Sequence, residues 1–352
     1  MTTVHAVLPD GIDDPARPSG GNVYDRRACD GLAALGWSVH EHAVSGFWDG
    51  PKATALATLA EAVEGIPDGS VVLLDGLIAS TAPDVLVPEA RRLRLVVLVH
   101  MPLGDRPLDD DARTREGAVL SAVAAVVTTS AWARGRLLEL YALPADRVHV
   151  AHPAVDRAQL ASGTATGGAL LCVAAVTHDK GHDVLVDALT AISDLSWSCV
   201  CVGRLDRDPA FVDAVRRRSA DAGLGDRVQF PGPRSGAELD RSYAAADVMV
   251  LASRAETYGM VVIEALARGV PVIAADVGGL TEALGHGADG IAPGLLVSPD
   301  DVGALAAALR SWLGDAQLRG RLRRAALERR ESLPTWSGTA SDLAAILTKA
   351  SG

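Results

Sequence analysis

Two glutamates, Glu256 and Glu264, flank the start of a predicted helix within the stretch from Leu251 to Val272. Glu256 lies in the polar loop before the helix, and Glu264 lies roughly one and a half turns inside it. Gly259 at the junction lets the backbone come close to a ligand, and the free N–H groups of a first helical turn suit an anion. This element can therefore hold a diphosphate while two carboxylates accept hydrogen bonds from hydroxyls on either side. Hydroxyls that flank a diphosphate describe a sugar nucleotide.

These glutamates need a strand, a loop and a helix to hold them, and the surrounding pattern supplies all three. Val248–Leu251 is an apolar strand end, a helix runs from near Gly259 to Arg268, and Val270–Ala275 is a second apolar strand. This is a βαβ unit, in which ligands collect at the loop that leaves a strand. The alternative is an ordinary amphipathic helix with two solvated acids. The apolar run around Glu264 argues against it, because a carboxylate in such a run needs a reason.

The segment SRAETYGMVVIEALARGVPVIA, with its E-x7-E spacing, resembles the retaining glycosyltransferases of family 4, and the resemblance covers nearly the full chain. It implies an α/β fold of the GT-B type, with two Rossmann-like doubly wound domains facing each other across a cleft. It also implies transfer of a sugar, with retained configuration, from a nucleotide-sugar donor, with a UDP- or GDP-sugar expected, to an acceptor hydroxyl. No metal and no other cofactor would be required. Family members glycosylate lipids, polysaccharides, small metabolites and natural products, so the acceptor stays open.

The resemblance also implies roles for the residues of the E-x7-E segment. Glu264 would bind the ribose hydroxyls, and Glu256 would bind the hydroxyls of the transferred sugar at the reaction centre. The backbone amides of Gly259, Met260 and Val261 would hold the diphosphate. Hydrolysis by a classical carboxylate pair is less favoured, because both acids are assigned to donor hydroxyls and not to opposite sides of one bond.

Candidate site residues in the first half of the chain follow predicted strands. Gly20 and Gly21, between the first strand and a helix, match the glycine pair that the family places against the diphosphate; taken alone they are equally a loop hinge. His100 follows the apolar strand Leu93–Val99 and matches the family's strand-end histidine near the transferred sugar; its alternative is a cap without a chemical role. Asp75 either holds an acceptor hydroxyl or is an Asp-Gly turn residue.

Lys180 is the candidate phosphate ligand of the second half, because it lies between a strand and a helix. Taken alone it would be a surface lysine, but VAAVTHDKGHDVLVDAL resembles the family's G-R-x-x-x-x-K-G region. The family arginine falls on Ala175, so one usual diphosphate cation is absent. Arg204 or Arg254 can supply the missing positive charge. If neither does, donor binding is weak.

Two further positions belong to the predicted site. Pro233 and Arg234 follow a short strand and by resemblance border the nucleotide base.

Two rival functions remain. A nicotinamide or flavin oxidoreductase should carry G-x-G-x-x-G after its first strand, and this motif is absent. A catalytically silent protein that binds a nucleotide sugar is harder to dismiss, because of Ala175.

The composition narrows the function classes. The chain has 352 residues, long enough for two domains, and only 4% of them are aromatic. Its net charge of −11 argues against broad nucleic-acid binding and against docking on an acidic membrane surface. No signal peptide and no apolar run of membrane-spanning length is visible, so we expect a soluble cytoplasmic protein.

The four cysteines, Cys29, Cys172, Cys199 and Cys201, form no C-x-x-C pair. Three of them lie in predicted strands. We therefore expect buried small hydrophobes in a reducing compartment, and neither disulfides nor a zinc site.

The predicted domain boundaries follow the changes in pattern along the chain. Residues 1–151 form an acceptor-side domain, residues 152–168 a linker rich in Pro, Gly, Ser and Thr, and residues 169–333 a donor domain. The resemblance implies that a last helix within residues 334–352 crosses back onto the first domain. Residues 105–115 are predicted to be a polar loop leading into a helix.

Overall fold

The computed structural model of the chain describes residues 2–14, 18–48, 50–105 and 109–352. The chain divides into two compact units. The first unit comprises Met1–Pro153 together with Pro334–Gly352, and the second comprises Ala154–Leu333. Each unit is built around one six-stranded parallel sheet.

The elements of the first unit alternate between strands and helices. They are β1 (Thr3–Pro9), α1 (Gly20–Ala34), β2 (Ser38–Val44), α2 (Ala53–Glu64), β3 (Val71–Asp75), α3 (Gly76–Thr81), α4 (Pro83–Glu89), β4 (Arg94–Val99), α5 (Asp110–Ala122), β5 (Ala125–Thr128), α6 (Ala131–Tyr141) and β6 (Val148–Val150).

The second unit has the same alternation, and the last helix returns to the first unit. The elements are β7 (Ala169–Val173), α7 (His182–Thr190), β8 (Ser198–Val202), α8 (Pro209–Asp221), β9 (Val228–Gly232), α9 (Gly236–Ala244), β10 (Val248–Leu251), α10 (Met260–Leu266), β11 (Val272–Ala275), α11 (Leu280–Leu284), β12 (Gly294–Val297), α12 (Val302–Gly314), α13 (Ala316–Arg330) and α14 (Trp336–Ser351).

The central strands are buried on both faces, which explains their unbroken apolar sequences. Alternate residues of β3 enter two separate hydrophobic clusters, Val72 and Leu74 one of them and Val71 and Leu73 the other. Side chains alternate between the faces of a strand, so both faces of this sheet are covered. The predicted α/β class with doubly wound parallel sheets is confirmed.

Each sheet has a point where its strand order changes direction. The first sheet has the order β2-β1-β3-β4-β5-β6, and the direction changes between β1 and β3. The second has the order β12-β11-β10-β7-β8-β9, and the direction changes between β7 and β10. The two loops that leave the strands at such a point diverge, and a crevice opens between them at the carboxyl ends of the strands.

Helix α14 packs closely on α1 within the first unit. A Cβ atom on Gly31 of α1 would lie 2.6 Å from Cβ of Ala340 on α14, so the two helices approach at a position without a side chain. Trp336 at the start of α14 lies edge-on to Tyr24, with ring centroids 5.8 Å apart. Leu343 and Leu347 of α14 enter the same hydrophobic cluster as Tyr24.

Residues 154–168, predicted as part of a linker, pack on the second unit. Ala161 is buried in its hydrophobic core. The Thr164 amide and hydroxyl both donate to the Asp247 carboxylate, at 2.6 Å each. Asp247 precedes β10, so this segment is fixed at the amino-terminal end of that strand. Its sequence nevertheless has no helical or strand period.

The polar stretch 105–115 was predicted to be a loop leading into a helix, and its residues 106–108 lie outside the described residues. Asp109 caps α5 by accepting a hydrogen bond from the Ala112 amide at 2.9 Å, and the helix begins at Asp110. The expectation of a loop was wrong from Asp110 onward, because Ala112 and Glu116 bury one face of this turn. Across the described ranges, no helix has the length and apolar character needed to span a membrane.

Glu116 is completely buried on α5 and organises the turn that follows β4. Its carboxylate accepts hydrogen bonds from four groups: Ser80 Oγ at 2.8 Å, the Leu103 amide at 3.0 Å, the Gly104 amide at 2.9 Å and the Tyr141 hydroxyl at 2.5 Å. The charge is tolerated in the core because these donors replace water.

We expect Glu116→Ala to lower the free energy of unfolding by more than about 3 kcal/mol, because each buried donor left without an acceptor costs about 1–3 kcal/mol. Urea denaturation measures the change through the transition midpoint. Glu61→Ala, on the exposed face of α2, is the control and should change stability little. Equal midpoints for the two variants would show that Glu116 does not hold this turn.

Candidate functional site

An ion pair joins the two loops at the switch point of the second sheet. Lys180 lies in the loop after β7, and Glu256 lies in the loop after β10. Lys180 Nζ is 2.8 Å from Glu256 Oε1, and Ser253 Oγ donates to the same oxygen at 3.1 Å. The loops are far apart along the chain and adjacent in space because β7 and β10 are neighbours in the sheet.

Lys180 is held in its charged form by the acids around it. Its side chain is 24% exposed. Burial lowers the pKa of the ammonium group, but Glu256, with Asp179 at 3.7 Å, outweighs burial and holds the pKa of Lys180 above its usual value. An anion that enters this crevice meets a permanent cation and competes with Glu256 for it.

Gly259 makes the turn between the Glu256 loop and α10. Its φ is +93°, and a Cβ atom there would lie 2.5 Å from Leu280 Cδ2. A side chain at this position would therefore be strained and would overlap a neighbour. Met260 and Val261 follow in the first turn of α10 and are half-buried.

Glu264 is fixed in one orientation by a buried tyrosine. The Tyr243 hydroxyl donates to Glu264 Oε2 at 2.7 Å, and Tyr243 is completely buried. The Arg268 guanidinium lies 4.5 Å from the centre of the Tyr243 ring. Burial raises the pKa of Glu264 above its usual value, and the Tyr243 hydrogen bond and the Arg268 charge oppose this shift without cancelling it.

The two arginines proposed to replace the cation missing at Ala175 are both engaged by acids. Arg204 donates to the Asp206 carboxylate at 2.9 and 2.8 Å. Arg254 donates to both oxygens of Asp183, at 3.0 and 2.9 Å, and to Asp300 at 2.7 Å. Arg254 therefore ties the loop after β10 to α7, and each guanidinium already has a carboxylate partner.

His100 lies between two buried aspartates at the carboxyl edge of the first sheet. Its Nε2 is 2.8 Å from Asp25 Oδ1 on α1 and 3.7 Å from Asp75 Oδ2 at the end of β3. The side chain of Asp75 also caps α3 by accepting from the Ile78 amide at 3.0 Å. A Cβ atom on Gly21 would lie 3.2 Å from His100 Cδ2, so Gly21 lets α1 approach the imidazole.

Burial and the neighbouring charges shift the pKa of both Asp75 and His100. Burial and the neighbouring Asp25 charge raise the pKa of Asp75 to about 7, and His100 opposes this rise. Burial lowers the pKa of His100, but the hydrogen bond and charge of Asp25, together with Asp75, raise it above its usual value. Such a cluster can exchange a proton near neutral pH or bind hydroxyl groups.

The remaining predicted residues lie at the start of α1 and after β9, the outermost strand of the second sheet. Gly20 is the first residue of α1, whose cap is Ser19. Pro233 is exposed after β9, and Arg234 donates to Ser242 Oγ at 2.8 Å.

Two residues of this arrangement were missed from the sequence. Asp25 is an acid inside α1, four residues after Gly21. Its burial would have marked it as a site residue, but the sequence pattern does not show that it is buried. Tyr243 lies at the end of α9, and its contact with Glu264 depends on the packing of two helices that are separate in the chain.

Residues 164–329 match the family model described as Glycosyl transferases group 1. The chain is 34% identical over 263 residues to the D-inositol 3-phosphate glycosyltransferase of Jonesia denitrificans, covering 69% of this chain and 61% of that protein. It is 31% identical over 295 residues to D-inositol 3-phosphate glycosyltransferase 1 of Catenulispora acidiphila, covering 78% and 69%. The chain thus spans less than two thirds of the first relative and slightly more of the second.

Solved structures share the fold over nearly the full chain. Sucrose-phosphate synthase from Thermosynechococcus elongatus has a TM-score of 0.80 at 22% identity, covering 99% of both chains. HepE of Anabaena in complex with UDP-glucose has a TM-score of 0.79 at 17% identity, covering 99% of this chain and 100% of that one. At these identities the likeness concerns the fold, which is the predicted GT-B fold.

The raised pKa of Asp75 predicts a pH-dependent stability. Between pH 4 and about 7 the folded protein holds a proton on Asp75 that the unfolded chain has lost, so this group's contribution to stability falls as pH rises through that window. Asp75→Asn removes the titration and keeps an oxygen for the Ile78 amide. We expect the variant to gain in urea midpoint relative to the wild type as pH rises from 4 to 7. A pH-independent difference would show that Asp75 is ionised throughout.

Proposed function

Because the chain belongs to the glycosyl transferases group 1 family, we propose that it transfers a sugar from a nucleotide-sugar donor to an acceptor hydroxyl, with retention of configuration and without a metal ion. The observation that supports this most strongly is the crevice of the second unit. There Lys180, Glu256 and the Tyr243-bound Glu264 surround the glycine turn at the start of α10.

Each of these groups would bind a different part of the donor. The Lys180 ammonium and the amides of Gly259, Met260 and Val261 would stabilise the diphosphate as it leaves, which is the main electrostatic requirement of this reaction. Glu264 would accept the ribose hydroxyls in the orientation that Tyr243 sets. HepE, which has the same fold, has been solved with UDP and with UDP-glucose. A UDP-sugar is therefore the first donor to test, and a GDP-sugar the second.

The ion pair gives the donor site a simple order of events. Before binding, the charge of Lys180 is balanced by Glu256 at 2.8 Å. A diphosphate would take over the ammonium, and Glu256 would turn to the hydroxyls of the sugar. Reaction on one face, with the leaving phosphate assisting removal of the acceptor proton, retains configuration and needs no covalent intermediate. Lys180 and the amides would supply the charge stabilisation that a metal ion supplies elsewhere.

The first unit would serve the acceptor. Its own crevice at the β1–β3 switch point contains His100 between Asp25 and Asp75. Carboxylates and an imidazole are suited to bind hydroxyl groups. Family resemblance further assigns His100 to the reaction centre, and Gly20 and Gly21 to close approach of the backbone to the donor.

A catalytically silent protein that binds nucleotide sugars is the second candidate. The observation that favours it is the engagement of Arg254 by Asp183 and Asp300, with alanine at position 175. Lys180 would then be the main cation for the diphosphate. Both candidates bind a nucleotide, and only the transferase turns over the donor.

A thermal-shift titration with UDP, GDP, ADP, CDP and dTDP tests donor binding. A nucleotide at a hundred times its dissociation constant should stabilise the protein by about 2.7 kcal/mol. We expect one nucleotide to stand out and Glu264→Gln and Lys180→Gln to lose its effect, because each variant removes a proposed ligand. Lys349→Gln, on the exposed end of α14, is the matched control and should respond like the wild type. No shift with any nucleotide at millimolar concentration would contradict both candidates.

Turnover of the donor separates the two candidates. With the matching nucleotide sugar we expect slow hydrolysis, release of a sugar that first carries the donor's anomeric configuration, and no effect of a chelator. Proton NMR of the anomeric signals measures both rate and configuration. Glu256→Gln should bind the nucleotide and lose at least about 10²-fold in rate, since a removed electrostatic group costs about 10²–10³. Binding without any hydrolysis or transfer would favour the silent protein.

A further inference from the structure

Three buried side chains of the second unit, none of them a proposed donor ligand, converge near the start of α7. Cys172 of β7 and Cys201 of β8 are register partners on neighbouring parallel strands, and His182 is the first residue of α7. Their exposure is 1%, 0% and 1%. One ligand atom from each residue lies within 4.8 Å of the other two. We propose that Cys172, Cys201 and His182 bind a thiophilic metal ion, zinc(II).

The separation of the ligand atoms fits such an ion. Zinc binds thiolate sulfur at about 2.3 Å and imidazole nitrogen at about 2.0–2.1 Å, so a tetrahedral angle places sulfur and nitrogen about 3.5 Å apart. Cys172 Sγ is 3.6 Å from His182 Nε2. Three protein ligands leave the fourth tetrahedral position to a water molecule, as in open zinc sites.

The charge of the complete site suits a core. On binding, each thiol releases its proton to solvent as a zinc–sulfur bond forms, and the imidazole binds in its neutral form. Two thiolates then balance the divalent ion, and the assembly carries no net charge. A neutral assembly avoids the large cost of an unpaired charge in an apolar interior.

The state of His182 is a second observation that points to a ligand. Among the described residues its Nδ1 has no hydrogen-bond partner, and its Nε2 faces only the sulfur of Cys172. A thiol is a weak hydrogen-bonding group, so this buried imidazole is poorly satisfied by the protein alone. A metal–nitrogen bond at Nε2 gives the ring a strong partner.

The site would have a structural effect on its surroundings. His182 follows directly on Lys180 and Gly181, so the ion would fix the start of α7 to β7 and β8. It would thereby limit motion of the loop that carries Lys180. A thiol–imidazole hydrogen bond without metal gives the same atomic separations, and metal analysis distinguishes the two.

The metal content of the full-length protein tests the proposal. We expect one zinc ion per chain by inductively coupled plasma mass spectrometry, in protein produced with added zinc and in protein refolded with zinc. Refolding with cobalt(II) should give the strong visible absorption of a tetrahedral cobalt thiolate. Copper(I) in place of zinc would overturn the assignment of zinc(II), because two thiolates do not balance a monovalent ion.

Cys199→Ser provides a matched control. Cys199 is equally buried on the same strand, 3.9 Å from Cys201 Sγ, and lies outside the converging set. Cys172→Ser and Cys201→Ser should lose the metal, and Cys199→Ser should keep it. Metal-free wild-type protein after refolding with zinc, or the same metal content in all three variants, would overturn the proposal. If a variant fails to fold, the zinc content and the cobalt spectrum of the wild-type protein still show whether the site binds metal.

Discussion

The contact between the Lys180 ammonium and the Glu256 carboxylate depends on the topology of the second sheet and in turn defines the candidate donor crevice. Lys180 lies between β7 and α7, and Glu256 lies between β10 and α10. Each is positioned by a strand, and the two strands are neighbours only because the sheet was built outward in both directions from β7 and β10. A parallel sheet puts the ends of all its strands on one side, so opposite charges from distant parts of the chain meet there.

Both units place acids in nearly dry surroundings, and in each case the structure supplies donors that compensate. Glu116 has four donors, Glu264 has Tyr243, and Asp75 has the first turn of α3. The number of hydrogen-bond donors around each buried carboxylate differs. Glu116 is surrounded by donors and supports the fold. Asp75 has a raised pKa because it is buried and Asp25 lies close by, and incomplete compensation is typical of groups that meet a ligand.

The sequence predicted the fold class and the strand–loop–helix setting of the site, because apolar runs and glycine turns are local signals. It also placed Lys180 and Glu256 in loops that follow strands, and parallel strands bring such loops to one edge. It did not predict Asp25 or Tyr243, since their partners are separated by 75 and 21 residues and contact arises only from packing. The sequence did not reveal that Cys172, Cys201 and His182 converge, because they come from two strands and a helix. Polarity suggested a loop at residues 110–115, whereas one buried face made it a helix.

The position of α14 determines when the first unit can be completed during synthesis. The second unit is one continuous segment, Ala154–Leu333, so its sheet can form as soon as that segment has left the ribosome. The first unit cannot be completed until α14 has been synthesised. Its α1 lacks the packing of Ala340 on Gly31 and of Trp336 on Tyr24 until α14 has emerged. A nascent chain stalled before Pro334 would therefore expose the apolar surface of α1 that α14 covers, and chaperones bind such surfaces.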